Sequence, residues 1–130
     1  MGALFKIMAK KILVVEDDPT LAHLLEFRLR KNGYEVNILS DGHSVLRTVR
    51  KKQPDLISLD VLLPKMDGIK VCRYLRIEPE YKDIKILMLS GMSREHDANR
   101  GYEVGADYYM TKPFKLEEYL EKVRELLGEK

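Results

Sequence analysis

Short apolar runs alternate along this chain with longer stretches in which apolar positions return every three or four residues. The short runs are Ile12-Leu13-Val14-Val15, Val36-Asn37-Ile38-Leu39, Leu56-Ile57-Ser58-Leu59 and Ile84-Lys85-Ile86-Leu87-Met88-Leu89, with a weaker fifth at Tyr108-Tyr109-Met110. The first four have the length and β-branched content of strands. The intervening stretches predict five helices. The first carries Leu21, Leu24, Leu25 and Leu29 and stops at Asn32-Gly33. The second covers 44–52, with Val45, Leu46 and Val49 on one face, and the third runs from Gly68 to about Arg76. The fourth runs from about Arg94 to Val104 and stops at Gly105, and the last has Leu116, Leu120, Val123 and Leu127 facing inward. Strand and helix in strict alternation imply parallel strands joined by right-handed helical crossovers, hence an α/β, doubly wound sheet with helices on both faces. Nearly all-apolar strands agree, because a parallel sheet is covered on both sides.

Composition narrows the picture. A chain of 130 residues fits one domain, and 45% hydrophobic with 34% charged residues is a globular mixture. A formal net charge of +2 gives no argument for direct nucleic acid or anionic membrane contact. The single cysteine, Cys72, excludes an internal disulfide and fits a reducing cytoplasm. No apolar run approaches the roughly 20 residues that span a bilayer. Met8-Ala9 is a second candidate start, so residues 1–9 read as an extension or tag that could lengthen the first strand, ahead of a domain at 10–130.

The chemistry collects where the strands end. In open α/β sheets, sites form beyond the carboxyl ends of the strands. The first strand ends in Glu16-Asp17-Asp18, the third in Asp60, the fourth in Ser90-Gly91 and the fifth in Thr111-Lys112-Pro113. Carboxylates gathered at one point repel each other and need compensating charge. Lys112 supplies one positive charge, and a hard divalent cation with oxygen ligands, Mg²⁺ above all, would supply more. Such a constellation suits phosphoryl transfer, where charge on three equatorial oxygens must be neutralised. Each residue alone has a plainer reading. Asp18, followed by Pro19, reads as a helix N-cap. Asp60 could cap a loop, Ser90 could be a strand-end hydroxyl, and Lys112 could be a solvated charge. The functional reading rests on their convergence at one sheet edge. His23, His43 and His96 lack metal-ligand spacing.

Four motifs in order carry a family resemblance: Ile-Leu-Val-Val-Glu-Asp-Asp at 12–18; Asp60 followed by Leu63-Pro64-Lys65-Met66-Asp67-Gly68; Met88-Leu89-Ser90-Gly91; and Gly105-Ala106-Asp107-Tyr108-Tyr109-Met110-Thr111-Lys112-Pro113-Phe114. From about Lys10 to Leu127 the chain resembles the receiver domains of two-component response regulators. The resemblance implies a flavodoxin-like, five-stranded parallel sheet of order 2-1-3-4-5 flanked by five helices. It implies that Asp60 accepts a phosphoryl group from a sensor histidine kinase or phosphotransfer protein, and that the chain is a signalling switch rather than a conventional enzyme. It implies Mg²⁺ (or Mn²⁺) held by Asp17, Glu16, Asp60 and the Leu62 main-chain carbonyl. It further implies that Lys112 pairs with Asp60, that Ser90 bonds a phosphoryl oxygen, that Tyr109 is a switch aromatic, and that the Lys112–Pro113 peptide bond is cis. Glu16 stands where many members have Asp. Arg100, Asp107, Glu118 and Lys122 partly match the dimer face of the transcription-factor branch, which leaves phosphorylation-linked homodimerisation open. The resemblance names no output partner. A phosphatase with an aspartate nucleophile would carry that residue after the first strand, and a pseudo-receiver would lack the acceptor, an acid or the lysine.

Overall fold

The computed structural model describes residues 9–91 and 102–129. Five strands, β1 (Lys11–Val15), β2 (Glu35–Leu39), β3 (Leu56–Asp60), β4 (Lys85–Ser90) and β5 (Tyr108–Thr111), form one sheet in the order β2-β1-β3-β4-β5, every pair parallel. This is the expected order. Among the described residues there are four helices: α1 (Pro19–Lys31), α2 (Val45–Lys52), α3 (Gly68–Ile77) and α4 (Leu116–Leu126). The helix expected from about Arg94 to Val104 lies mostly outside the described residues; of it, Tyr102 and Glu103 are helical, ahead of a turn at Val104 and Gly105.

Period-two alternation along the strands divides the core into two layers. Leu13, Val15, Ile57, Leu59, Ile86 and Met88 pack with Val45 and Val49 of α2 and with Val71, Cys72 and Leu75 of α3. Ile12, Val14, Leu56, Leu87 and Leu89 pack with Leu25 and Leu29 of α1 and with Tyr119, Leu120 and Val123 of α4. All five residues of the central strand β3 are buried, so its last residue, Asp60, is carried to the sheet edge with little freedom.

Local chemistry sets the helix ends. The Asp18 carboxylate accepts the Thr20 amide at 3.0 Å with Pro19 opening α1, which is the capping role expected of it. Asp67 caps α3 by accepting the Lys70 amide at 3.0 Å. Arg50, Lys51 and Lys52 occupy the last turn of α2, where positive charge complements the negative end of the helix.

Candidate functional site

The site is assembled at the carboxyl edge of β1, β3 and β5. Glu16 follows β1 and is 2% exposed, although it is a glutamate. Its amide donates to the Leu39 carbonyl at 2.9 Å, and its Oε2 accepts the Asp18 amide at 3.2 Å. Asp17, next in the chain, is exposed. Asp60 ends β3 at 4% exposure, and its Oδ1 accepts the Leu62 amide at 3.3 Å. One carboxylate oxygen from each of Glu16, Asp17 and Asp60 can be chosen so that all three lie within 4.8 Å of one another. Lys112, directly after β5, extends its Nζ between them, 2.7 Å from Glu16 Oε1 and 3.3 Å from Asp60 Oδ2. The Lys112 amide donates to the Ser90 carbonyl at 2.6 Å, and the Lys112–Pro113 peptide bond is cis, as expected.

Two buried carboxylates thus share one ammonium group. Burial, reinforced by the charge of Glu16 and opposed by Lys112, pushes the Asp60 carboxyl up to about 6. Burial alone would lower the Lys112 ammonium, but its bond to Glu16 and the charge of Asp60 outweigh that and raise it. With Asp17 at the rim, the cluster keeps an excess of negative charge. Three carboxylates converging on one point form the donor set that a hard divalent cation requires, so the residues present fit Mg²⁺ or Mn²⁺.

Of the predicted strand-end residues, Glu16, Asp17, Asp60 and Lys112 come together, with Lys112 closer to Glu16 than to Asp60. Ser90 is fully buried at the end of β4, and Tyr109 of β5 pairs in register with Met88. The Tyr109 ring is already buried within the core layer of α2 and α3, and its amide donates to the Tyr102 hydroxyl at 3.1 Å. Of the four charges suggestive of a dimer face, Arg100 is outside the described residues. Asp107 and Lys122 already have partners within the chain: Asp107 accepts from Arg76 at 2.8 Å, and Lys122 reaches Glu125 at 2.9 Å and lies over the Tyr108 ring. At Gly68, which opens α3, φ is not in the left-handed region and what matters is space: a Cβ there would fall 2.3 Å from the Asp60 carbonyl oxygen. Gly42, which no motif marks, is as tightly placed: a Cβ there would fall 2.0 Å from the Met66 carbonyl oxygen.

A doubly wound parallel sheet carrying three acids and a lysine at the edge of β1, β3 and β5 defines a class of α/β proteins with a charged centre built for oxygen-rich, anionic chemistry. The family model for the response regulator receiver domain matches residues 12–124. The chain therefore belongs to the response regulator receiver domain family. It is 46% identical over 120 residues to the alkaline phosphatase synthesis transcriptional regulatory protein PhoP of Bacillus subtilis, covering 92% of this chain and 49% of that protein. It is 43% identical to the DNA-binding dual master transcriptional regulator RpaA of Synechocystis, covering 90% of this chain and 48% of that one. The chain spans about half the length of the curated relatives it matches. The chemotaxis response regulator CheY4 of Vibrio cholerae superposes with a TM-score of 0.86 at 30% identity, covering 92% of this chain and 99% of CheY4. The Mn²⁺-bound form of the response regulator Rcp1 superposes with a TM-score of 0.76 at 29% identity, covering 90% and 91%. Because RpaA is a DNA-binding protein, the expectation of no direct nucleic acid contact finds no support here. Among the described residues, no helix is long and apolar enough to cross a membrane.

Proposed function

We propose that Asp60 is the phosphoacceptor of this receiver domain, taking a phosphoryl group from a phosphohistidine donor on a sensor histidine kinase or a phosphotransfer protein. The single observation that carries this reading is the Asp60 carboxylate held at the sheet edge among Glu16, Asp17 and Lys112. One Asp60 oxygen attacks phosphorus in line, the phosphorus–nitrogen bond of the donor breaks, and an acyl phosphate results. An ionised carboxylate needs no general base. Lys112 moves its contact from the carboxylate to the phosphoryl oxygens, and Ser90 donates its hydroxyl to another. Glu16, Asp17, Asp60 and the Leu62 carbonyl would hold Mg²⁺ or Mn²⁺, which when bound neutralises charge on the transferring group. Water attack on the acyl phosphate later resets the chain, so the molecule is a switch that catalyses its own two reactions in the reducing cytoplasm.

The acquired phosphate brings charge and acceptor oxygens to Ser90, and the packing of Tyr109 reports the change to a partner surface on β5 and α4. The burial of Tyr109 supports this coupling, since a buried ring cannot rearrange without moving its neighbours. Tyr109→Ala is expected to accept phosphate at a near-normal rate while losing the phosphate-dependent change in partner affinity; a retained change would remove Tyr109 from the switch.

The deciding experiment is the intact mass after incubation with Mg²⁺ and acetyl phosphate, with Asp60→Asn in parallel. One added phosphoryl group is expected, absent without Mg²⁺ and absent in the variant. Labelling that survives in Asp60→Asn would move the acceptor elsewhere.

A further inference from the structure

We infer that Gly42 is a positioning residue for the phosphoryl-transfer site, acting through the backbone of the loop that follows Asp60. The inference rests on the function proposed above and adds a residue outside every motif that led to it. Gly42 is buried in the connection between β2 and α2. Its φ is not in the left-handed region, so its conformation is open to other residues; its surroundings are not. A Cβ on Gly42 would lie 2.0 Å from the Met66 carbonyl oxygen, 3.0 Å from the Met66 carbonyl carbon and 3.2 Å from its Cβ. The nearest of these are backbone atoms, so no rotamer change relieves the collision, and one loop has to retreat by about 1 Å or more to reach ordinary contact.

The loop so constrained is the one that shapes the site. Its ends are pinned, because Val61 donates to the Leu89 carbonyl at 2.8 Å and Gly68 donates to the Val61 carbonyl at 2.8 Å. Its middle is a tight turn in which the Met66 amide donates to the Pro64 carbonyl at 2.8 Å and Lys65 has a φ of 69°. The Gly42 amide donates to that same Pro64 carbonyl at 3.3 Å. Asp41 holds the other side of the connection by accepting the Ser44 amide at 3.0 Å. The end of β2 also fixes the opposite wall, through the bond from the Glu16 amide to Leu39. The β2–α2 connection therefore braces both walls of the site, and the absent side chain of Gly42 sets how closely the Leu62 backbone approaches the carboxylates.

Gly42→Ala is expected to raise the Mg²⁺ dissociation constant, measured by calorimetry, about tenfold, as other outer supports of metal sites do. Labelling by acetyl phosphate should fall in proportion at low Mg²⁺ and return to within about threefold of the wild type at saturating Mg²⁺. A residue that only packs the fold would lower the melting temperature and leave the dissociation constant where it was; that result overturns the inference. In the unaltered protein, Mg²⁺ should slow hydrogen exchange at the Gly42 amide, a measurement that stands even where the variant does not fold, and an unchanged exchange rate would equally overturn it. The wild type separates the two readings. If it binds Mg²⁺ and is labelled at Asp60, an unperturbed Gly42→Ala removes only the role of Gly42; if it does neither, the proposed function falls and this inference with it.

Discussion

Asp60 is a carboxylate kept where its ionised form is disfavoured. Its pKa rises from 3.8 to about 6 in the folded chain, first through burial and then through Glu16. Between these values the folded state binds the proton that the unfolded state has released. Stability contributed by the neutral form is therefore complete below about pH 4 and lost as pH rises through about 6, roughly 3 kcal/mol in all. Asp60→Asn, neutral at every pH, should thus raise the melting temperature of the metal-free protein at pH 7 and flatten the decline in stability between pH 4 and 6. Urea denaturation across that range measures it, and a variant no more stable than the parent would show that Lys112 fully compensates the burial. Mg²⁺ should raise the melting temperature of the parent more than that of the variant. Under the function proposed above, the same burial that costs stability would keep the Asp60 oxygens desolvated for an incoming phosphoryl group.

Arg76 plays the comparable part between elements. From the last turn of α3 it donates Nε to the Gly105 carbonyl at 2.8 Å, Nη1 to the Ile84 and Lys82 carbonyls at 2.7 and 2.9 Å, and Nη2 to Asp107 at 2.8 Å. Asp107 in turn accepts the Ile86 amide at 2.8 Å. One guanidinium thus joins α3, the approach to β4 and the start of β5, the strand that delivers Tyr109 and Lys112. Arg76→Ala should destabilise the fold by about 2–4 kcal/mol, since it removes the donor from the partly buried Gly105 and Ile84 carbonyls and the cation from Asp107. Arg76→Lys should recover less than half of that, because one ammonium cannot reproduce a planar fork. Chemical denaturation of both variants tests this; a loss under about 0.5 kcal/mol for Arg76→Ala would reduce the network to a surface decoration.

Across the whole molecule, two apolar layers sandwich the sheet, and Cys72 lies at the centre of one of them with no exposed surface. Burial pushes its thiol up to about 11, with the nearby Arg76 partly opposing. Neutral and inaccessible, it should resist disulfide reagents in the native state and react only when the domain opens. Its labelling rate at pH 8 then reports the unfolding equilibrium. Mg²⁺ at a hundred times its dissociation constant should slow that rate about a hundredfold, because an ion bound only to the folded form shifts the equilibrium by mass action. Labelling that ignores Mg²⁺ would mean that α3 opens without disturbing the site.

The sequence by itself determined the elements, their parallel arrangement and the residues at the sheet edge. Burial period is a local property: Leu13 and Val15 must face one layer and Ile12 and Val14 the other, whatever the rest of the chain does. Parallel strands then deliver Glu16, Asp60 and Lys112 to one edge. The candidate site was legible in outline because Glu16, Asp60 and Lys112 each directly follow or close a strand, with Asp17 one residue further on. Tertiary structure decided the distances. That Lys112 bonds Glu16 more closely than Asp60 depends on the register and twist of strands far apart in sequence and on the extra methylene of a glutamate. That Gly42 meets the Met66 carbonyl depends on two loops approaching across the top of the sheet. Such contacts join positions with no shared period, so no pattern along the chain records them; they exist only once the core has fixed the ends of both loops in space.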